Sequence, residues 1–364
     1  KTLFDRELVR CVNLNAGNDT IHHLLDGIRA FYQINRVVVL TEIMRQKGDP
    51  VLIDILSRLR YGLCTQADKN LLDGYVLSNP NCAEETRRLT DISLWIDGQG
   101  APLVTFTNEA RDAHNFAMSK SFALATSQEP AIYHSFDTRG RGASKVELKG
   151  VVAEAAWRVA VKEADDLAGK VPYIPGMPVF CTENLATELG ISKGSMGRLV
   201  GIKYTEHSGR RYAVSAEVDF PGYKSGNAAH PNRVLLKRST STIHFSLPGS
   251  ATVYSATRSQ LPLIPAFAFT SHNSQGRSLD HVVIDLASCK NIQSAYVMLS
   301  RVRSLKGLCI LRPFRLGIIQ NHISQELRQE IERTDLRAKE TLTWAKDQLR
   351  WYYSGVQTTI FDSV

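Results

Sequence analysis

Four short apolar runs constrain this chain before anything else: 37–40 (VVVL), 103–106 (LVTF), 282–286 (VVIDL) and 308–311 (LCIL). None alternates apolar with polar residues, as a strand with one wet face would. Runs of this length and composition are how strands buried on both faces of a parallel sheet read. Helical patterns lie between them. Asp49-Pro50 opens one as N-cap and first-turn proline, with Leu52, Ile55, Leu56 and Leu59 as its inner face and Gly62 as its stop. Thr65-x-x-Asp68 has the form of a capping box ahead of Leu71 and Leu72. Asn291 is placed to cap a helix whose inner face is Ala295, Met298, Leu299 and Val302. Strands alternating with helices predict an α/β domain.

Residues 172–262 have a different texture. Turn residues (Pro175-Gly176, Gly194, Gly197, Gly201, Gly209, Pro221-Gly222) separate short β-prone runs at 198–204, 212–218 and 242–245. That pattern predicts a small antiparallel barrel inserted into the α/β domain. The basic, glycine-rich 138–145 (TRGRGASK) reads as a loop; its G-x-G spacing alone does not make a phosphate loop. Residues 324–352 read as a helical tail with an apolar stripe at Ala338, Leu342, Ala345, Leu349 and Tyr352, expected to pack against the body. The organisation expected is 1–36, then 37–171 with 263–315, the insertion 172–262, and the tail 316–364.

The formal charge is +8, from 44 Lys and Arg against 36 Asp and Glu, which suits an anionic partner such as nucleic acid without demanding one. Six cysteines (Cys11, Cys64, Cys82, Cys181, Cys289, Cys309) show no C-x-x-C spacing, so free thiols in a reducing compartment are expected rather than a zinc site. No apolar run is long enough to span a membrane, and the first residues carry no signal-peptide pattern. The chain begins at Lys1, not Met, so a fragment or a processed chain is expected.

Two segments carry chemistry. Residues 268–279 (AFTSHNSQGRSL) gather the hydroxyls of Thr270, Ser271 and Ser274 with His272, Asn273, Gln275 and Gly276, read as a polar loop just before an apolar run. Hydroxyls, amides and backbone N–H groups are the usual donors to phosphate oxygens, although polar loops before strands are common without any such role. Residues 293–304 (QSAYVMLSRVRS) place Arg301 and Arg303 at the end of an apolar helix. Arginine there complements the helix dipole in any protein, and it can also reach a nucleotide phosphate. His22-His23 lacks a suitably placed third metal ligand, and Ser271 or Ser274 with His272 and Asp285 lacks a nucleophile elbow.

The two segments together, SHNSQG-x-S-L-x-x-V-V-I-D-L and Q-S-A-Y-V-M-L-S-R-V-R-S-L-x-G-L, resemble motifs V and VI of the Pif-type, RecD-like branch of superfamily 1 DNA helicases, most closely copies common in fungal genomes and transposons. Residues 39–46 (VLTEIMRQ) resemble motif IV, an arginine after a buried strand; 105–115 resembles the family's Thr-Asn…Asn segment; 175–179, Asn184-Leu185 and 194–197 resemble the entry to its SH3-like barrel. The resemblance spans about 37–314. It implies a second RecA-like motor domain with an inserted SH3-like barrel, preceded in 1–36 by the connection after motif III of a first motor domain. By resemblance, Arg45 and Arg301 would act on the γ-phosphate of ATP. Gln275 and Gly276 would link nucleotide to DNA. Thr107, Thr270, Ser271, His272, Asn273 and Ser274 would lie along single-stranded DNA. The family pattern implies ATP and Mg²⁺ as cofactors of the complete enzyme, 5′-to-3′ movement, roles in DNA repair, recombination and telomere maintenance, and a nuclear or mitochondrial setting.

Asn273 stands where the family commonly has lysine, and Val302 where it has a small residue. The sequence contains no G-x-x-x-x-G-K-[ST] and no Asp-Glu pair ending an apolar strand. Phosphoryl transfer requires a phosphate cradle, a lysine and Mg²⁺ as well as an arginine finger. The expectation is therefore that this chain alone binds no ATP or Mg²⁺ through its own ligands and does not turn ATP over. The rival readings are an inactive remnant that binds single-stranded nucleic acid, and a module that docks a partner through its tail.

Overall fold

The computed structural model describes residues 19–140, 145–224 and 229–353, with side chains from 26 to 349 outside those gaps. Two compact units divide the chain: 45–321, and 1–44 together with 322–364.

Helix α1 (Asp19–Tyr32) belongs to the smaller unit. The larger unit opens with α2 (Pro50–Arg60), where the Asp49 carboxylate accepts from the Leu52 N–H at 3.0 Å and Leu52, Ile55, Leu56 and Leu59 are buried. In α3 (Gln66–Asp73) both arms of the capping box between Thr65 and Asp68 are formed. Asp68 also receives the Arg58 guanidinium at 2.5 and 2.9 Å. The short helices α4 (Glu84–Arg88) and α5 (Ser93–Ile96) lead to β1 (Leu103–Thr105) and α6 (Asn108–Ala125).

The chain then leaves this layer. It forms β2 (Ile132–His134), β3 (Phe136–Arg139), β4 (Val146–Glu147), helix α7 (Gly150–Trp157), β5 (Lys170–Pro172), β6 (Pro178–Cys181), β7 (Met196–His207), β8 (Arg210–Asp219), β9 (Arg233–Lys237), β10 (Ser239–Ser246), β11 (Val253–Gln260) and β12 (Leu263–Pro265). It returns through β13 (Ala268–Thr270), β14 (Val282–Ile284), α8 (Ile292–Leu299) and β15 (Leu308–Ile310).

Strands β13, β1, β14 and β15 lie in that order in an all-parallel sheet. All four are three residues long with every residue buried, as the apolar runs at 103–106, 282–286 and 308–311 predict. The fourth parallel strand is β13, not 37–40. Residues 37–40 form no strand, and Val38, Val39 and Leu40 are 78%, 52% and 89% exposed. β-branched residues become a strand only beside backbone groups still free to pair. This segment instead lies in the smaller unit along α9 (Gln325–Tyr353), where one N–H, that of Val37, reaches Thr341 Oγ1 at 2.9 Å. Arg36 stacks on Trp344 there, and Arg333 on Phe31 and Tyr32. In that helix Thr341 is buried, whereas Leu342 and Leu349 of the anticipated apolar stripe are exposed.

Two β-layers fill the excursion. One has the order β12-β6-β7-β8-β2-β5, with β9 also on β8; the other is β10-β11-β3-β4. They reach well before residue 172, because β2 pairs with β8 and β3 with β11, strands far along the chain, while β4 adds to β3; Thr138 and Arg139 of the glycine-rich segment belong to β3. Tyr173, just after the edge strand β5, donates its hydroxyl to the Leu263 carbonyl of the opposite edge strand β12 at 2.8 Å. The core between these strands includes Phe122, Tyr173, Ile174, Met177, Val179, Leu199, Val218, Phe220 and Phe267. Arg258 on β11 lies directly opposite Asp137 on β3, both fully buried, and the guanidinium also reaches the carbonyls of Ala156 and Leu167.

Candidate functional site

The turn after β13 begins at the C-terminal end of an edge strand, beside the end of β1, where ligands of open parallel sheets gather. Residues 268–279, read from sequence as a loop, thus divide into a strand and a tight turn. Asn115 on α6 fixes the start of this segment: its amide donates to the Ala268 carbonyl at 3.2 Å and accepts from the Ala268 N–H at 2.7 Å. The Ser271 N–H bonds the Thr105 carbonyl at 2.9 Å. The chain then coils, with N–H groups of Ser274, Gln275 and Arg277 bonded to carbonyls of Thr270, His272 and Ser274. Gly276 sits at φ +81°, a backbone state that a side chain would strain.

The coil sorts the anticipated DNA-contacting residues. Thr270, Ser271 and Ser274 are buried, and the Ser274 hydroxyl donates to the Ser271 carbonyl at 2.6 Å. His272, Asn273, Gln275 and Gly276 face outward and line a cleft of about 500 Å³. The opposite wall comes from Phe180 and Cys181 of β6, Thr182 just after it, and 192–195 ahead of β7. Thr107, at the end of β1, caps α6 by accepting from the Ala110 N–H at 3.3 Å and does not line this cleft.

Arg277 joins the two walls, a role that no local sequence signal marks. Its guanidinium lies 4.8 Å from the Phe180 ring centroid and 5.5 Å from that of Phe269, donates to the Asn273 carbonyl at 3.0 Å, and also bonds the Gly194 carbonyl. Burial between the rings lowers its pKa below the ordinary arginine value.

Arg45 and Arg301 form a second cluster. Arg301, 8% exposed at the end of α8, donates to the Val297 carbonyl at 2.7 Å, the Ser300 hydroxyl at 2.6 Å and the Ser274 carbonyl at 3.4 Å. Arg45 donates to Ser278 Oγ at 2.7 Å and the Ser300 carbonyl at 2.9 Å. Burial depresses the Arg301 pKa, and the charge of Arg45 adds to the effect. Among the described residues no carboxylate pairs with Arg301. Gln46, a neighbour that the sequence reading did not single out, is buried and donates to the carbonyls of Ser300 and Val302 at 3.1 and 2.8 Å. The two clusters are stitched by a parallel bridge, in which Leu279 N–H bonds the Arg301 carbonyl at 2.9 Å and Arg303 N–H bonds the Leu279 carbonyl at 3.1 Å.

Other constellations do not assemble. Asp285 binds Arg312 at 2.8 and 3.0 Å, and Ser274 points its hydroxyl at a carbonyl, so neither forms a hydrolytic triad with His272. His22 and His23 lie in α1, where side chains are outside the described residues.

No family model matches the chain. It is 27% identical over 276 residues to the ATP-dependent DNA helicase PIF1 of Rattus norvegicus, covering 75% of this chain and 34% of the rat protein. The crystal structure of Pif1 helicase from Candida albicans superposes with a TM-score of 0.54 at 22% identity, covering 81% of this chain and 59% of that one. The chain is similar to Pif1 helicases in both comparisons. The Pif1 helicase from Bacteroides, crystallised with ADP-AlF3 and ssDNA, gives 0.51 at 19% identity over 82% of this chain and 56% of that one. At these identities the structural likeness speaks to the fold. The chain spans about a third of the rat protein's length and less than two thirds of either crystallised chain.

Proposed function

We propose that residues 45–321 are the second RecA-like motor domain of a 5′-to-3′ DNA helicase, with a nearly closed SH3-like barrel as its insertion, and that they grip single-stranded DNA through the turn after β13. The observation that carries this reading is the pairing of the two clusters: an outward-facing turn of His272, Asn273, Gln275 and Gly276 is hydrogen-bonded through Leu279 to the backbone of Arg301. The bridge from Tyr173 to Leu263 supports the barrel reading.

Arg45 and Arg301 fit a polyphosphate. Two guanidinium groups converge on Ser300, and the buried one has only neutral acceptors around it among the described residues. Such a group is held ready for charge that arrives from outside. ATP with Mg²⁺ supplies the transferable phosphoryl group when bound. The part of Arg301 is to place positive charge at the terminal phosphate, and that of Ser300, Val297 and Gln46 is to hold the arginine's backbone and fork in place. The phosphate cradle itself is not encoded in this sequence, so the chain alone is not expected to turn ATP over. The nucleus or mitochondrion is the compartment we infer.

Titration of a fluorescent oligothymidylate with the purified chain tests the DNA part. Affinity should fall steeply between 50 and 200 mM salt, because phosphate contacts release counterions; roughly 10³-fold is the scale for six such contacts. No binding, or affinity indifferent to salt, would refute it.

A further inference from the structure

The cleft beside the turn holds polar groups that the fold leaves unused. The Thr182 hydroxyl is buried, with the residue 4% exposed, and has no hydrogen-bond partner among the described residues. Leaving such a group unsatisfied is costly to the folded state. At the same cleft, the backbone N–H groups of His272, Asn273 and Gly276 bond to no acceptor among the described residues. Lys193 stands at the same cleft, exposed and ion-paired to Asp166 at 2.8 Å, and its ammonium can turn to a stronger anion. All of these groups donate. Free backbone N–H groups gathered on one turn are suited to binding an anion.

We propose that this cleft is a phosphodiester subsite built jointly by the barrel and the motor domain, with Thr182 and Lys193 as DNA-contacting residues. The backbone phosphate would take the N–H groups of the turn, the Thr182 hydroxyl and the Lys193 ammonium. The remaining volume, walled by Ile264 and Phe180, accommodates the attached sugar and base. Arg277 keeps the walls together by bonding carbonyls on both. The inference rests on the single-strand reading above and extends it to residues of the insertion, to which the resemblance assigns no DNA contact.

The test compares Thr182→Val, Lys193→Gln and the unaltered chain for oligothymidylate affinity, with a thermal melt of each. Thr182→Val keeps the shape of the side chain and removes an unsatisfied hydroxyl. It should melt no lower than the unaltered chain, yet bind roughly ten-fold more weakly, the scale of a hydrogen bond to a charged group. Lys193→Gln should lower the slope of log affinity against log salt by about one. If the unaltered chain binds and both variants bind as it does, the subsite is wrong while the single-strand reading stands. If the unaltered chain fails to bind, both fall. Weakened binding by Thr182→Val together with a lowered melt would also overturn the subsite, since lost packing would then explain the loss.

Discussion

Arg45 and Arg301 end on the same residue: Arg45 bonds the Ser300 carbonyl at 2.9 Å and Arg301 bonds the Ser300 hydroxyl at 2.6 Å. Two like charges are thereby held close, one of them buried, with no stabilising carboxylate for Arg301 among the described residues. A fold selected only for stability would not keep that arrangement. Arg301→Met, which retains the aliphatic stem and removes the charge, should leave the chain as stable as before or up to about 1 kcal/mol more stable. Urea unfolding measures this. A loss of more than 1 kcal/mol would show that Arg301 is structural.

The pair Asp137–Arg258 should behave oppositely. Both side chains are buried and each Asp137 oxygen is engaged by the guanidinium. Asp137→Leu or Arg258→Met alone strands a buried charge, at a cost of about 3–5 kcal/mol. The double variant should cost less than either single change. A double-mutant cycle in urea decides it, and additive losses would refute the claim.

Gly307 sits where a side chain cannot. A Cβ there would overlap the Asp280 carbonyl oxygen, a backbone atom that cannot swing aside. Gly307→Ala should cost about 2 kcal/mol or more through forced separation of the segments leading into β14 and β15. A midpoint within error of the unaltered chain would contradict this.

Buried thiols should contribute to the alkaline limit. Burial raises Cys289 and Cys309 to about 12 and Cys64 to about 11, from an ordinary value near 9. Between those values the folded chain holds protons that the unfolded chain has released. Stability from these groups is therefore complete below pH 9 and declines as pH rises toward 11–12, by at most about 1.4 kcal/mol per pH unit for each thiol. Cys289→Ala with Cys309→Ala should flatten the fall in stability between pH 9 and 10.5. An unchanged slope would assign the alkaline limit to other groups.

Much of the parallel-sheet layer was legible because its signals are local. The Asp49 cap, the Thr65–Asp68 box and the inner face of α8 each depend on residues within a turn or two. The strands β1, β14 and β15 announced themselves as wholly apolar runs. β13 did not, because Ala268–Thr270 is three residues long and merges into the polar turn. Residues 37–40 misled for the converse reason: an apolar run shows strand propensity, not the presence of a neighbouring edge. The outward or inward aim of individual side chains around Ser274 was hidden too, since it depends on how the turn coils. Arg277 and Gln46 acquire their settings from rings and carbonyls distant in sequence, and no spacing rule encodes such meetings. The β-layers began earlier than expected for the same reason: β2 and β3 are short and ordinary until their late partners arrive.

Strands β1 and β13 are hydrogen-bonded neighbours, yet everything from Phe106 to Phe267 lies between them in the chain. Joining two ends across so long an interval is entropically costly if the intervening chain is still loose. The β-layers are therefore expected to condense first and bring the two ends together, after which the parallel sheet can close. On that order of events refolding has a slow final phase, and the turn that faces the cleft is among the last parts of the molecule to exist.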